Sequence, residues 1–570
     1  MTSSKSVKTG RSFQIAWPRP FVALRGIDRA DWPREILAGI TLAALVIPLN
    51  IGYAEVAGLP PQVGLYAGIV PMIAYAIFAT SRHVVASPDA AIAALIGSLL
   101  AVLAVPGSQE YLQLAYALAL VCAAFFTLFW LFRLGFLANY LSRAVLVGLI
   151  AGLGIEVLFS QVRKMMGVSI EAEGFFREVL ATLQAFTETN WYSLAIGLST
   201  IAIVRLLKRF TPKIPGALVA LIGMTLVVSV FNLTAYGVSV LGEIPAGLPR
   251  LTVPQVAFSE WVKLVPGALA IVALTIAEGL LLARRYAQSH GYKVDSDQEE
   301  FAYGMANMAG GFTGSFVTGS SASRTAAMDE AGARTQWPSV VSAVLVVMVL
   351  LFFTEQLALL PTAALAGIVA NAVLKLIDIE EFRELYRLRR SEFMIALVCT
   401  VSLLVLGTLA GLTIAFLLTT IEVVRRAAQP KTNVLVELPD AESLESSPLG
   451  EHQFSAPDII VYRFGGPLFF ANAHVLREEV EDIIESGGGT LECLILDVEA
   501  VNDIDTTGVE VLEQVIKLVQ AKGIYLAVSR AHSPVPDMLR RYGLMEHLGE
   551  ENLFTNNRQA IKAFKARKRE

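Results

Sequence analysis

The sequence is poor in charge, in cysteine and in histidine, and each shortage excludes something. Only 17% of its 570 residues are Asp, Glu, Lys or Arg, against about a quarter in soluble domains, and the mean hydropathy is +0.58. A soluble globular protein of this length is excluded; most of the chain belongs in lipid. The three cysteines, Cys122, Cys399 and Cys493, lie far apart and form no CxxC, which excludes a disulfide framework and a cysteine-based metal or redox motif. The six histidines are scattered in the same way, so no metal ligands are predicted. No basic, aromatic-interleaved surface points to nucleic acid. The turn "ESGGGT" at 485–490 has no Gly-Lys-Ser/Thr after it and is no phosphate loop. With no catalytic constellation either, the reading is of a protein that is not an enzyme and needs no cofactor.

What is abundant is apolar sequence, in runs from about Ile36 to Val424. With a ruler of about 20 residues per spanning helix, these runs divide into about fourteen segments. Residues 1–30 carry no apolar core or cleavage site of a secretory signal and read as a retained cytosolic tail. Arginines of alternate loops (Arg82, Arg133, Arg143, Arg205, Arg284, Arg389) fall on one side, which places both termini in the cytosol; "QVRKMMG" runs against the pattern. The transporter part is read as 31–427 and a Pro-, Glu- and Ser-rich linker as 428–456. From 457 to 570 strand and helix patterns alternate, as in an α/β domain, with "DIIVYRF", "PLFFANA", "LECLILDV" and "IYLAVSR" as strands.

Two segments are too short for the ruler. "ASPDAAIAALIGSLL" (86–100) and "TGSSASRTAAMDEAG" (318–332) each stand third in a half of seven, the mark of an inverted-repeat transporter whose substrate site lies where two half-helices meet. A helix that starts inside the membrane points unpaired N–H donors and a partial positive charge into that space, which suits an anion. Pro88 is expected in the first turn of the first half-helix, where a missing N–H does no harm. Arg324 adds a positive charge from the second. The competing reading is a pair of tight, capped loops. Glu278, midway along "ALTIAEGLLLA", is an intramembrane carboxylate and by default a functional group; it is read as the coupling residue, or else as an ion-pair partner of Arg324. Asp89 is expected chiefly as a helix cap, Asp329 and Glu330 as solvated, and Glu55 at the aqueous rim.

"VIPLNIGYAEVAGLPPQVGLYAGIVP" (46–71), Ser87-Pro88, Ala90-Ala91, "SSASRTA" with "GARTQ", and "LIDIEEFRELYRLRRSEF" together resemble the sulfate permease (SulP) anion transporters, called solute carrier family 26 in animals. "LILDVEAVNDIDTTGVEVL" resembles the centre of the sulfate transporter and anti-sigma-factor antagonist (STAS) domain. The resemblance implies a multi-span α-helical membrane protein of 14 segments as 7+7 inverted repeats, with a cytosolic α/β STAS domain. Segments one to four and eight to eleven form a core that moves, elevator-like, against a gate of the others, usually in a homodimer. It implies an anion site at Pro88, Asp89, Ala90 and Ala91, at Ser323 and Arg324, and on segment one at Pro48, Asn50 and Tyr53. Glu278 matches the acidic residue that couples to H+ or Na+. Leu49 departs from the family, in which many members carry glutamine there; Asn50 follows, rotated by about 100°, and the departure turns the expectation away from sulfate. Thr506 stands at the phosphoacceptor position of the bacterial antagonists, with Thr507 next; the alternative is that Asp505 or Thr506 caps a helix.

The function expected is secondary active transport of a small inorganic anion or a dicarboxylate across the cell's inner membrane, coupled to H+ or Na+. The alternatives are an uncoupled channel or exchanger of the same family, and a membrane-anchored STAS scaffold. The expected partners are the anion, lipid, a second copy of the chain and a cytosolic protein on the STAS domain.

Overall fold

A computed structural model describes residues 17–134, 143–168, 174–211, 215–437, 444–448, 454–487 and 489–569. The basic stretch at 1–16 therefore lies outside the described residues. The chain divides after Thr419 into two compact units.

The first unit is helical. Its elements run α1 (Trp32–Val56), α2 (Pro61–Ala67), α3 (Val70–Phe78), β1 (Ala86–Ser87), α4 (Ala90–Ala101), α5 (Gln109–Phe132), α6 (Arg143–Met166), α7 (Phe175–Gln184), α8 (Trp191–Phe210) and α9 (Gly216–Val230). The second half continues with α10 (Phe258–His290), α11 (Ser296–Phe312), β2 (Gly319–Ser320), α12 (Ala322–Glu330), α13 (Trp337–Phe352), α14 (Thr354–Ala358), α15 (Thr362–Val373), α16 (Ile379–Leu388), α17 (Arg390–Leu406) and α18 (Thr408–Ala428). With α2 and α3 counted as one broken span, and the amphipathic α7 and α16 and the short α14 left out, fourteen segments remain, in two halves of seven. The third of each half is short. At about 1.5 Å per residue α4 covers about 18 Å and α12 about 14 Å, against a hydrocarbon core of about 30 Å.

Packing sorts the segments into core and gate. In the core α11 lies against α5 and α3, and α1 against α13 and α12; in the gate α6 lies against α17 and α15, and α8 against α15 and α9. The core is held by polar side chains buried where water cannot pair backbone groups, the condition that lipid imposes. Glu299 of α11 is fully buried and accepts from the Tyr75 hydroxyl at 2.6 Å and from the N–H groups of Thr80 and Ser81 at 2.6 and 2.7 Å, beyond the end of α3. Asn307 accepts from the Thr318 N–H and donates to its carbonyl, both at 2.9 Å. Gln336 donates to the carbonyls of Ser81 and Val84. These side chains pair the irregular backbone on the way into β1 and β2. The two strands pair antiparallel, Ala86 opposite Ser320 and Ser87 opposite Gly319, so each half-helix starts from the same short crossing.

The second unit is an α/β domain with a six-stranded sheet in the order β4-β3-β5-β6-β7-β8. β3 (Lys431–Glu437) and β4 (Leu444–Pro448) are antiparallel; β5 (Ile459–Gly465), β6 (Cys493–Asp497), β7 (Tyr525–Ser529) and β8 (Leu553–Phe554) run parallel. One face packs on α19 (Ala473–Ser486) and α20 (Thr506–Ala521), and α21 (Val535–Arg541) and α22 (Met545–Leu548) complete that side; the other face packs on α23 (Asn557–Arg567). β6 is buried on both faces, and burial pushes its Cys493 thiol up to about 12. Two expectations are corrected. The stretch read as a linker, 428–456, carries β3 and β4, because Val434 and Leu435 bury their side chains in the sheet. "PLFFANA" is a turn with a single bridge from Leu468 to Ile504, because the buried Asn472 closes it, accepting from the Phe469 N–H and donating to the Pro467 carbonyl.

Close packing in the gate gives a test of the architecture. A Cβ on Gly148 of α6 would lie 2.2 Å from the backbone carbonyl oxygen of Ala396 on α17, whereas one on Gly223 of α9 would meet nothing. Gly148→Ala is therefore expected to cost about 1–3 kcal/mol by overpacking and Gly223→Ala to cost nothing, as read from thermal unfolding of the detergent-solubilised protein.

Candidate anion site

The site is built on the β1–β2 crossing. α12 begins at Ala322, so Arg324 falls in its first turn and its side chain, fully buried, turns back toward the other half of the chain. There Nη2 donates to Asn50 Oδ1 at 2.9 Å and Nη1 to the Pro88 carbonyl. The guanidinium carbon lies 5.4 Å from the centre of the Tyr53 ring, within cation–π range. Asn50 Oδ1 also accepts from the Ser87 hydroxyl at 3.1 Å. One amide oxygen of α1 thus ties the strand before α4 to the arginine of α12. Its Nδ2 has no partner and faces Gly68.

The two half-helices present different N-termini. Asp89 caps α4, its carboxylate accepting from the Ala91 N–H at 3.3 Å. α12 has no side-chain cap; its Ser321 hydroxyl and the Arg324 Nε are buried without partners, and Ala322 and Ser323 are exposed at the opening. An uncapped helix start, an orphaned hydroxyl and an orphaned guanidinium N–H are donors for an anion. At α4 that place is already taken by a carboxylate.

α10 closes the site. Thr275 lies against β2, its Oγ1 3.0 Å from where a Cβ of Gly319 would stand. Glu278, one turn on and on the same side, is half-buried and within electrostatic reach of Asp89. Asp89 is therefore within reach of both the Glu278 carboxyl group and the Arg324 guanidinium.

Placed against the sequence expectations, Asn50, Pro88, Asp89 and Arg324 meet at one point, with Tyr53 beside them; Pro48, Ala90 and Ala91 are buried close by, and Ser323 faces the opening. Pro88 is not in the first helical turn: Asp89 is the cap and Ala90 the first helical residue, because the Pro88 carbonyl is engaged by Arg324. The capping role of Asp89 is as expected. Among the described residues no ion pair joins Glu278 to Arg324, whose donors go to Asn50 and Pro88. Glu55 pairs with Lys164 of α6 at 3.1 Å, across the core–gate boundary. Glu330 is exposed, whereas Asp329 is half-buried beside His83 and His290, contrary to the expectation for it. Thr275 is outside the residues expected from the sequence; Ser87 and Ser321 lie inside the quoted motifs, but nothing in the pattern shows which hydroxyl finds a partner and which is left unpaired.

In the second unit Asp505 caps α20, accepting from the Gly508 N–H at 2.7 Å and from the Phe470 N–H at 2.9 Å. Thr506 is the exposed first residue of that helix, and Thr507 is half-buried.

A membrane-embedded pair of inverted repeats with an anion-suited space between two half-helices defines an anion transporter, and comparison with known proteins gives its family. The profile of the sulfate permease family matches residues 33–399 and that of the STAS domain 455–560. The chain belongs to the sulfate permease family. It is 36% identical to the protein of Mycobacterium tuberculosis named "Probable sulfate transporter Rv1739c", over 97% of this chain and 98% of that one. It is 30% identical to the "Low affinity sulfate transporter 3" of Stylosanthes hamata, over 99% and 92%. Among solved structures, the murine Solute Carrier 26 family member A9 anion transporter in the inward-facing state superposes with a TM-score of 0.87 at 22% identity, covering 95% of this chain and 92% of that one. The transmembrane domain of the cyanobacterial bicarbonate transporter BicA gives 0.59 at 21%, covering 68% and 98%. These two similarities show the fold.

Arg324→Lys keeps the charge and loses the fork that reaches Asn50 and Pro88 together. A charge-assisted hydrogen bond contributes about 1.5–3 kcal/mol, and each 1.4 kcal/mol is about tenfold, so anion uptake by proteoliposomes is expected to fall at least about tenfold. In the STAS domain Asp505→Ala is expected to cost about 0.5–2 kcal/mol and Thr506→Ala less than about 0.5 kcal/mol, measured by chemical denaturation of that domain.

Proposed function

We propose that this anion transporter is a proton-coupled symporter of elevator type, with sulfate as its first candidate substrate. The observation that carries the coupling is the charge balance: Asp89 lies within electrostatic reach of Glu278 on one side and of the Arg324 guanidinium on the other, two carboxylates to one cation. With both carboxylates ionised, the site is net negative and repels an anion in a medium where charge is poorly screened. Protonation of Glu278 leaves Arg324 and Asp89 balanced, so the α12 N-terminus, the Ser321 hydroxyl and Arg324 Nε attract the anion. Anion and proton then enter together. Asp89 remains the cap of α4.

Sulfate is favoured by the names of the relatives that match over nearly the whole chain. The donors at α12 are of the kind that bind a tetrahedral oxyanion, and bicarbonate and dicarboxylates are the competitors. Elevator motion is supported by the division of α1–α5 and α10–α13 from α6–α9 and α15–α18, with the whole site on the first group and Glu55–Lys164 as an ion pair that such motion must break. The loop arginines support an orientation with both termini cytosolic, in the cell's inner membrane on this reading, and the family resemblance supports a homodimer. A phosphate on the exposed Thr506 would sit at the N-terminus of α20 and recruit a basic cytosolic partner.

The test is uptake of labelled sulfate, bicarbonate and fumarate into proteoliposomes, with an inward proton gradient, with a sodium gradient and with neither. Sulfate is expected to accumulate only with the proton gradient, and Glu278→Gln to reduce gradient-driven uptake at least about tenfold. Accumulation that follows sodium would replace the proton as the coupling ion, and uptake indifferent to both would mark an exchanger or a channel.

A further inference from the structure

The ends of three core elements meet at a second group of polar side chains. His83 lies in the connection from α3 to β1, His290 is the last residue of α10, and Asp329 stands one residue before the end of α12. Asp329 Oδ1 is 2.8 Å from His290 Nε2 and 3.7 Å from His83 Nε2. The two imidazoles are nearly parallel, 16° apart with centroids at 4.2 Å. All three potential ligand atoms lie within 4.8 Å of one another. His83 is 2% exposed, Asp329 28% and His290 40%, so one ligand is fixed in a dry wall and the other two open to solvent.

The surroundings orient the buried ring. His83 Nδ1 is 3.1 Å from the Tyr292 hydroxyl, which also accepts from the Arg82 N–H at 3.3 Å. When Nδ1 carries the hydrogen and donates to Tyr292, the Nε2 lone pair is directed at Asp329 and the Ala333 carbonyl, the latter 3.1 Å away. Without a cation the other tautomer donates from Nε2 to Ala333. A hydrogen bond on the far nitrogen is the usual support of a metal-ligating histidine.

We propose that His83, His290 and Asp329 bind a divalent transition cation of the zinc class, with water in the fourth position. Ligand bonds of about 2.0–2.2 Å on a tetrahedral ion separate two ligand atoms by about 3.3 Å, and the separations of 2.8 and 3.7 Å bracket that value; because lone pairs lie in the ring planes, binding requires the more exposed His290 ring to turn out of its stack on His83. Two imidazoles and one carboxylate favour zinc over magnesium or calcium, which take oxygen ligands. The ion ties the end of α12, whose first turn carries Arg324, to α10 and to the segment that feeds β1. It is a staple on the half-helix that holds the anion.

The experiment uses tag-free, full-length protein in detergent, with Zn2+ binding measured by calorimetry and by metal content after dialysis. One Zn2+ per chain is expected. His290→Ala and Asp329→Asn should each weaken binding at least about tenfold, whereas His474→Ala and His532→Ala in the second unit leave it unchanged. The two variants avoid the buried His83, whose loss endangers folding. Hydrogen exchange in residues 322–330 should slow with Zn2+ in the wild type and not in His290→Ala. Absence of Zn2+ binding, undiminished binding in both variants, or equal binding of Mg2+ would overturn the assignment; binding without slower exchange would overturn the staple.

Discussion

The buried guanidinium of Arg324 is the constraint on which the membrane unit depends. A charge of that size inside lipid needs hydrogen bonds; Nη2 and Nη1 find theirs in an amide oxygen from α1 and a carbonyl before α4, and Nε is left open. Both acceptors come from the first half of the chain and the arginine from the second. The two repeats are thereby joined at their centre, and the β1–β2 crossing keeps them in register. Asn50 is as necessary as the arginine, since its single oxygen serves Arg324 and Ser87 together.

From that junction the asymmetry of the site follows. Inverted repeats place two half-helix N-termini in one space, but the sequence fills them differently: a carboxylate caps one and leaves the other open. The open end, at α12, holds the unpaired donors. The capped end contributes a carboxylate within reach of Glu278. The irregular segments that lead into the crossing are paired by Glu299, Asn307 and Gln336, whose burial is explained by the backbone that they serve and not by the anion.

Much of this was legible in the chain. The low charge, the repeated apolar runs and the two short segments give a membrane protein with paired half-helices, and the motif around Arg324 gives the anion chemistry. The expected roles that needed partners fared less well. Proline's tolerance of a first helical turn predicts Pro88 there, yet its carbonyl is held by Arg324 and the helix starts two residues later. A position at a helix end beside Glu330 predicts a solvated Asp329; the two histidines that flank it come from other elements of the chain. The composition of 428–456 predicts a linker, although it contains the apolar run Val434-Leu435-Val436, whose first two side chains are buried in the sheet.

The sequence by itself determined the class of fold, the position of the half-helices and the chemistry of the site, because apolar periodicity, helix-breaking residues and an isolated intramembrane charge are local signals that lipid makes costly to violate. Tertiary structure alone decided which groups face each other. That the Asn50 oxygen holds the arginine, that Glu278 lies within electrostatic reach of Asp89, and that His83 meets His290 and Asp329 are consequences of contacts between residues tens to hundreds of positions apart, for which a single chain carries no local mark.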